Sequence, residues 1–192
     1  NSYEGQEKVC AYARTLKRQE ETNNVSNTMD GIWDDCYSAI NIANGAIKYI
    51  PSIPMSENTK DVLIAEAKFF RAFNYFTLVK WFGDVPLLTE PSESLNGLEL
   101  PRTPVATVYK LIEQDLIDAV NKLPAETWQN NSHHITKYVA AQALTTVYMQ
   151  QGKYDKAATT AKEIIASGKY SLTQNEDNLL KSAYNKLRTI DD

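Results

Sequence analysis

The chain carries two histidines, His133 and His134, and they stand side by side. Neighbouring side chains in an extended loop point apart. No cysteine or carboxylate pair is spaced to complete a zinc site with them, so no metal is expected there. The two cysteines, Cys10 and Cys36, could form one disulfide. A helical chain of this size has no need of one, and two thiols acting as small apolar side chains is the better reading. There is no G-x-G-x-x-G, G-x4-G-K-[ST], G-x-S-x-G or H-E-x-x-H pattern. A glycosidase needs two carboxyl groups facing each other across a cleft. Glu57, Asp61, Glu113, Asp115, Asp118 and Glu163 instead fall at helical positions where solvated charge is expected. The sequence therefore argues against an enzyme and implies no cofactor.

Aromatic rings offer the other chemistry. Sugars present apolar C–H faces on which Trp and Tyr rings stack while polar neighbours bond the hydroxyls. Trp33 lies where an Asn-rich stretch meets a helix, Trp128 lies in a polar loop, and Trp81 ends a long apolar helix. Packing competes with binding at each. Trp81 is expected in the core, Trp128 as a surface staple, and Trp33 more often packed than facing a ligand.

Helices joined by short loops must position these side chains. A helix is expected over residues 5–20 and a loop over Thr22–Asp30, which is rich in Asn, Ser and Thr. A second helix opens at Asp30 or Gly31, with Asp34 and Asp35 favourable to its dipole. It buries Ile32, Cys36, Ala39, Ile40, Ala43, Ile47 and Ile50, and ends at Pro51 and Pro54. From about Asn58 to Phe82 runs a helix apolar on most of its circumference, capped by Ser56 and stopped at Gly83. Such a helix is packed on several sides. Glu66, Arg71, Asn74, Thr77 and Lys80 form its narrow polar seam, solvent-facing or internally paired. Glu66 and Arg71 are poorly spaced to pair with each other. Arg71 is expected to reach a carboxylate or carbonyl on a neighbouring helix.

Gly83–Thr103 is a long strap paced by Pro86, Pro91 and Pro101, its leucines suggesting that it is pinned to the surface. Thr103-Pro104 opens the next helix with proline at the first helical position. Its stripe is Val108, Leu111, Ile112, Asp115, Leu116, Ala119 and Leu123. A polar loop, Pro124–Ser132, follows. Thr136 caps a helix to about Gln151, and Gly152-Lys153-Tyr154 turns into another, Asp155–Ala166, ended by Gly168. A last amphipathic helix is expected over Asn175–Ile190. The Ile135–Gly168 pair has tetratricopeptide physics. Ala141 and Ala157 allow close approach, Tyr148 and Tyr154 fill the groove beside the turn, and Gly152 makes the turn. Thr145 and Ala161 depart from the consensus. The long helix and the helix after the strap form a looser second unit. Repeats of this kind present a binding surface.

With 192 residues and 43% hydrophobic content the chain can bury one sizeable core. A net charge of -4 and a pI near 5.3 argue against nucleic-acid binding. No stretch of about 18 apolar residues is free of charge, so no membrane span is expected.

Several segments, in order, carry a resemblance. Glu66, Arg71, Ala72, Tyr75, Phe76 and Leu78, then Phe82-Gly83-Asp84-Val85-Pro86-Leu87, resemble the signature helix and exit strap of the SusD/RagB family. These are outer-membrane nutrient-binding lipoproteins of Gram-negative Bacteroidota. Trp33, Tyr37, Ile40, Ala43 and Asn44 resemble the family's W-x3-Y-x2-I-x2-A-N helix. Arg102, Val108, Tyr109, Ile112, Asp115, Leu116, Ala119, Leu123 and Pro124 resemble the helix after the strap. The stretch from Lys137 through Ala140, Ala141, Leu144, Tyr148, Gly152, Tyr154, Ala157, Gly168 and Tyr170 to Leu172 resembles the helical pair that follows. The likeness covers Ile32–Leu172.

The resemblance implies an all-α fold of tetratricopeptide-like antiparallel helical pairs with a long proline-containing strap. Residues 1–192 would be a single helical domain, the N-terminal part of a larger SusD-like protein. The whole protein would be an outward-facing outer-membrane lipoprotein, membrane-bound only through a lipid anchor outside this chain, since Cys10 does not fit the family's lipidated position. It would bind oligosaccharide and deliver it to a TonB-dependent, SusC-like transporter, without catalysis. Most ligand contacts would come from a C-terminal half that this chain lacks. Here Asn23, Asn24 and Trp33, around the loop before the W-x3-Y helix, are the candidate ligand-binding residues. Peptide cargo is an alternative within the family. A generic tetratricopeptide interaction scaffold is the rival from another class, which the long strap and the W-x3-Y helix disfavour.

Overall fold

The computed structural model describes residues 23–92, 100–131 and 133–171. Five α-helices, α1 (Asn23–Tyr49), α2 (Glu57–Phe82), α3 (Val105–Lys122), α4 (Lys137–Gln150) and α5 (Tyr154–Ala166), follow in order. Each packs chiefly against its neighbours in the chain. This is the antiparallel, tetratricopeptide-like architecture expected from the sequence. Among the described residues there is no β-strand, only an isolated antiparallel bridge between Val85 and Thr103. The expected helices over 5–20 and 175–190, and Cys10, lie outside the described residues. Cys36 is a buried free thiol, and burial pushes it above its ordinary pKa.

The first described helix corrects the expected boundary. It begins at Asn23, not at Asp30 or Gly31, so the Asn-rich stretch from Asn23 onward is helical. Asn, Ser and Thr cost a helix only a few tenths of a kcal/mol each, roughly, and no proline interrupts the segment. Helix propagation then outweighs the local preference for a turn. Asp34 and Asp35 consequently sit mid-helix and exposed, with no acid in the first turn.

Helix α2 is the centre of the fold and is bounded as expected. Ser56 accepts a hydrogen bond from the Thr59 amide at 3.2 Å. Gly83, at φ 68° and ψ -121°, adopts a backbone that L side chains avoid, and its amide closes the helix on the Val79 carbonyl. Ala65, Ala72, Tyr75, Leu78 and Val79 are buried in one core with Ile40, Val85, Val108, Ile112, Leu116 and Val147. Full burial of each large aliphatic chain here contributes about 1.5–3 kcal/mol.

Three packing expectations fail. Trp81 is 47% exposed, not core. Phe70 and Phe73 are also about half exposed, so α2 leaves one side uncovered despite its apolar circumference. Tyr154 is 64% exposed and does not fill the groove beside the turn, whereas Tyr148 does. Tyr154 is the first residue of α5, where the turn directs it outward. Two caps also differ. Pro104 precedes α3 as its cap and is not its first helical residue. Thr136 makes no side-chain cap bond; its hydroxyl pairs with the Tyr170 hydroxyl. The turn at Gly152 is as expected, with φ +70°.

Candidate functional site

The residues with strongest sequence signal converge on one feature, the attachment of the strap to α1, α2 and α3. Arg71 is buried and donates through Nε and Nη2 to the two carboxylate oxygens of Asp115, at 2.8 and 2.9 Å. Its Nη1 donates to Asn44 Oδ1 at 2.9 Å. Asn44 turns its amide the other way, donating to the carbonyls of Leu88 and Glu90 at 3.1 and 3.2 Å. A chain of contacts thus runs from α3 through α2 and α1 into the strap. Burial raises the Asp115 carboxyl pKa, and the Arg71 guanidinium pulls it back.

Two tyrosines complete the attachment. Tyr75, fully buried, donates to the Leu88 carbonyl and accepts from the Leu88 amide. Burial pushes its phenol up to about 12. Tyr37 donates to the Pro86 carbonyl at 2.7 Å, and its phenol is likewise raised by burial. At the outer edge, Asn41 Oδ1 accepts from the Ser92 amide at 2.7 Å. The exit of α2 and the entry of α3 are fastened together as well. Arg102 donates to the carbonyls of Phe82 and Asp84, and Asp84 accepts from the Val105 amide, capping α3 in place of Pro104. Among the described residues no buried side-chain nitrogen or oxygen lacks a hydrogen-bond partner.

Trp33 sits at the foot of this assembly. Its ring lies 4.9 Å from Tyr37 and 5.1 Å, edge-on, from Phe82, with the Arg102 guanidinium 6.0 Å away. It is partly buried, packed against the core. Asn23 and Asn24 are on the first turn of α1. Nine residues separate Asn24 from Trp33, about 14 Å of helix rise. The structure does not bring these three candidates together.

The polar seam divides in two. Arg71 is paired inward as expected. Glu66 accepts from the Ile135 amide at 3.1 Å and lies 2.9 Å from His134 Nδ1, tying the loop before α4 to α2. Trp128 packs at 5.0 Å against the same His134 ring. His134 is therefore taken up in holding a loop, while His133 is exposed.

Two open concavities lie on the described surface. One, about 270 Å³, lies between α2 and α3 and is lined by Asp61, Lys68, Asp118 and Lys122. Its charges are paired off, Lys122 with Asp61 and Lys68 with Asp118. The other, about 340 Å³, is an apolar hollow lined by Tyr138, Val139, Gln142, Ile164 and Tyr170. No helix of the described residues is long and apolar enough to cross a membrane.

Fold and network define a helical-repeat scaffold that carries a long strap on a buried polar ladder. Residues 3–149 match the SusD-like family model described as starch-binding and associating with the outer membrane, and the chain belongs to that family. It is 32% identical over 157 residues to SusD-like protein P2 of Formosa agariphila, covering 79% of this chain and 31% of that protein. It is 31% identical over 182 residues to SusD-like protein P38 of the same organism, covering 90% of this chain and 35% of that one. A laminarin-binding SusD-like protein of known structure superposes with a TM-score of 0.72 at 34% identity, over 77% of this chain and 33% of that one. A SusD-like protein from Bacteroides fragilis does so with a TM-score of 0.69 at 29% identity, over 74% and 28%. The chain thus spans about a third of the length of these relatives.

Proposed function

We propose that this chain is the N-terminal helical domain of an outward-facing outer-membrane lipoprotein. That protein binds an oligosaccharide and delivers it to a TonB-dependent, SusC-like transporter, without catalysis. The observation that carries the reading is the family match over residues 3–149, whose description joins starch binding to outer-membrane association. The laminarin-binding relative, at 34% identity, supports a glycan as cargo.

In this division of labour the helical pairs are the scaffold that docks the transporter. The strap network keeps that scaffold rigid, because its links tie α1, α2, α3 and the strap to one another. On this chain Asn23, Asn24 and the partly buried Trp33 are the residues assigned to the ligand. A ring half-packed on its own protein can still offer one face to a sugar.

The test is affinity capture of the tagged full-length protein from mildly solubilised outer membranes, followed by a glycan panel. Co-purification of a TonB-dependent barrel and retention of a glycan are expected. Recovery of soluble protein partners alone, from well-extracted material, would sink the importer reading in favour of an interaction scaffold. Retention of peptides with no glycan retained would change the cargo.

A further inference from the structure

The apolar hollow of about 340 Å³ includes none of the residues assigned to a ligand above. Its walls come from three places in the sequence. Tyr138, Val139 and Gln142 stand on one face of α4, at steps of three and four. Ile164 comes from α5. Tyr170 is brought back to α4 by the turn after α5, where Gly168 takes φ +63°. A residue with a Cβ resists that conformation.

The two tyrosines shape the hollow. Their ring centres are 6.0 Å apart with planes at 75°, so the rings form an angled wall and do not stack shut. Tyr170 is 55% exposed, and its hydroxyl is fixed by the Thr136 hydroxyl at 3.2 Å. Gln142 is exposed and brings two amide donors and a carbonyl acceptor to the wall. No ionised side chain lines the hollow. Lys137 holds its ammonium 5.9 Å from the Tyr138 ring centre, outside the lining.

Aromatic faces, an amide, hydroxyls and no charge are the chemistry that meets an uncharged sugar. Its C–H faces lie on the rings, and its hydroxyls bond the amide. An ionic ligand finds no counter-charge here. An aliphatic packing partner would bury the Gln142 amide without a hydrogen bond, which costs free energy. The volume is at the small end of the ~300–1,000 Å³ range of ligand sites, which suits roughly one or two sugar rings. We infer that this hollow is a second glycan subsite, on the helical domain itself, for neutral pyranose rings of the bound oligosaccharide. The inference rests on the proposed glycan reading and adds a grip separate from Asn23, Asn24 and Trp33.

The test is hydroxyl-radical footprinting of the full-length protein, read at Tyr138 and Tyr170 by mass spectrometry. It is run with and without saturating maltohexaose or laminarihexaose, and binding of each probe is measured in parallel by calorimetry. Both rings should oxidise in the free protein, and at least about threefold more slowly with a probe bound. Gln142→Ala changes an exposed helix position to a good helix former. It should raise the probe concentration that half-protects the two rings by about two- to tenfold, at unchanged Tm. Rings that resist oxidation without glycan are covered by protein and overturn the inference. Rings oxidised equally with and without a probe that calorimetry shows to bind also overturn it, and leave the proposed function standing. A half-protection point unmoved by Gln142→Ala overturns it too. Binding of neither probe overturns the inference, and if no other glycan of the panel binds, the proposed function falls with it.

Discussion

Tyr75 and Leu88 exchange two hydrogen bonds through a single side chain. The Tyr75 hydroxyl donates to the Leu88 carbonyl at 2.9 Å and accepts from the Leu88 amide at 2.7 Å. One phenol in α2 thereby does for the strap what a neighbouring β-strand would do, satisfying both polar groups of a half-buried backbone unit. Tyr75→Phe keeps the ring and deletes both bonds. It is expected to cost about 1–3 kcal/mol, read as a lower urea midpoint at unchanged slope, with faster amide exchange at Leu88.

The same phenol makes stability fall in alkali. An unfolded tyrosine ionises near pH 10, its ordinary value, while folded Tyr75 holds its proton up to about 12. Between these values the native state binds more protons than the unfolded one. The stabilisation is complete below pH 10 and is lost as pH rises toward 12, at a limit of about 1.4 kcal/mol per pH unit. Unfolding free energies from pH 9 to 12 should fall less steeply in Tyr75→Phe than in the wild type. Equal slopes would remove Tyr75 from the account.

Arg71 and Asp115 form a buried pair, so breaking it and replacing it are different experiments. Arg71→Met leaves a carboxylate without a counter-charge and frees the Asn44 carbonyl oxygen; a loss of about 3–5 kcal/mol is expected. The double variant Arg71→Met with Asp115→Leu should recover much of that loss in the same chemical-denaturation assay. A double variant as unstable as the single would mean the polar ladder, not the removal of a stranded charge, sets the stability.

Gly83 separates backbone strain from packing. A Cβ there would meet no atom within 4 Å, yet φ is +68°. Gly83→Ala is therefore expected to cost about 1–3 kcal/mol through conformation alone, measured as a shift in Tm. No shift would mean that the helix exit relaxes to another geometry.

Trp33 carries both a packing and a binding role under the proposed function. Trp33→Ala should lower stability by about 3 kcal/mol or more. Trp33→Phe preserves most of the packing and, for a ligand-facing indole, should weaken glycan retention several-fold at nearly native Tm. Unchanged retention in a stable Trp33→Phe protein would assign Trp33 to packing only. Substituting Asn23 and Asn24 by Ala, in the same retention assay, tests the remaining two assignments.

The helices from Glu57 onward were legible to within a residue or two because their signals are local. Ser56 and Gly83 mark the ends of α2, and the stripe Val108, Ile112, Leu116, Ala119 marks the inner face of α3. That Arg71 would reach a carboxylate or carbonyl on a neighbouring helix also followed from its poor spacing to Glu66 on its own helix; the structure supplies the carboxylate of Asp115. Where local signals were weak the reading failed. The Asn-rich start of α1 looked like a loop, because a turn preference of a few tenths of a kcal/mol per residue is easily overridden by an adjoining helix.

By itself, then, the sequence determined the helices from Glu57 to Ala166, their antiparallel pairing and the family. Each of these is written in periodicity, punctuation and ordered motif. Only the tertiary structure decided that Tyr37, Asn44, Arg71, Tyr75 and Asp115 form one ladder under the strap, since Arg71 lies 27 and 44 residues from its two partners. Only the tertiary structure, too, left Phe70, Phe73 and Trp81 bare while burying Phe69 and Phe76. A helix that is apolar all round states that its faces need cover. How many neighbours arrive, and from which side, is settled by the packing of distant segments.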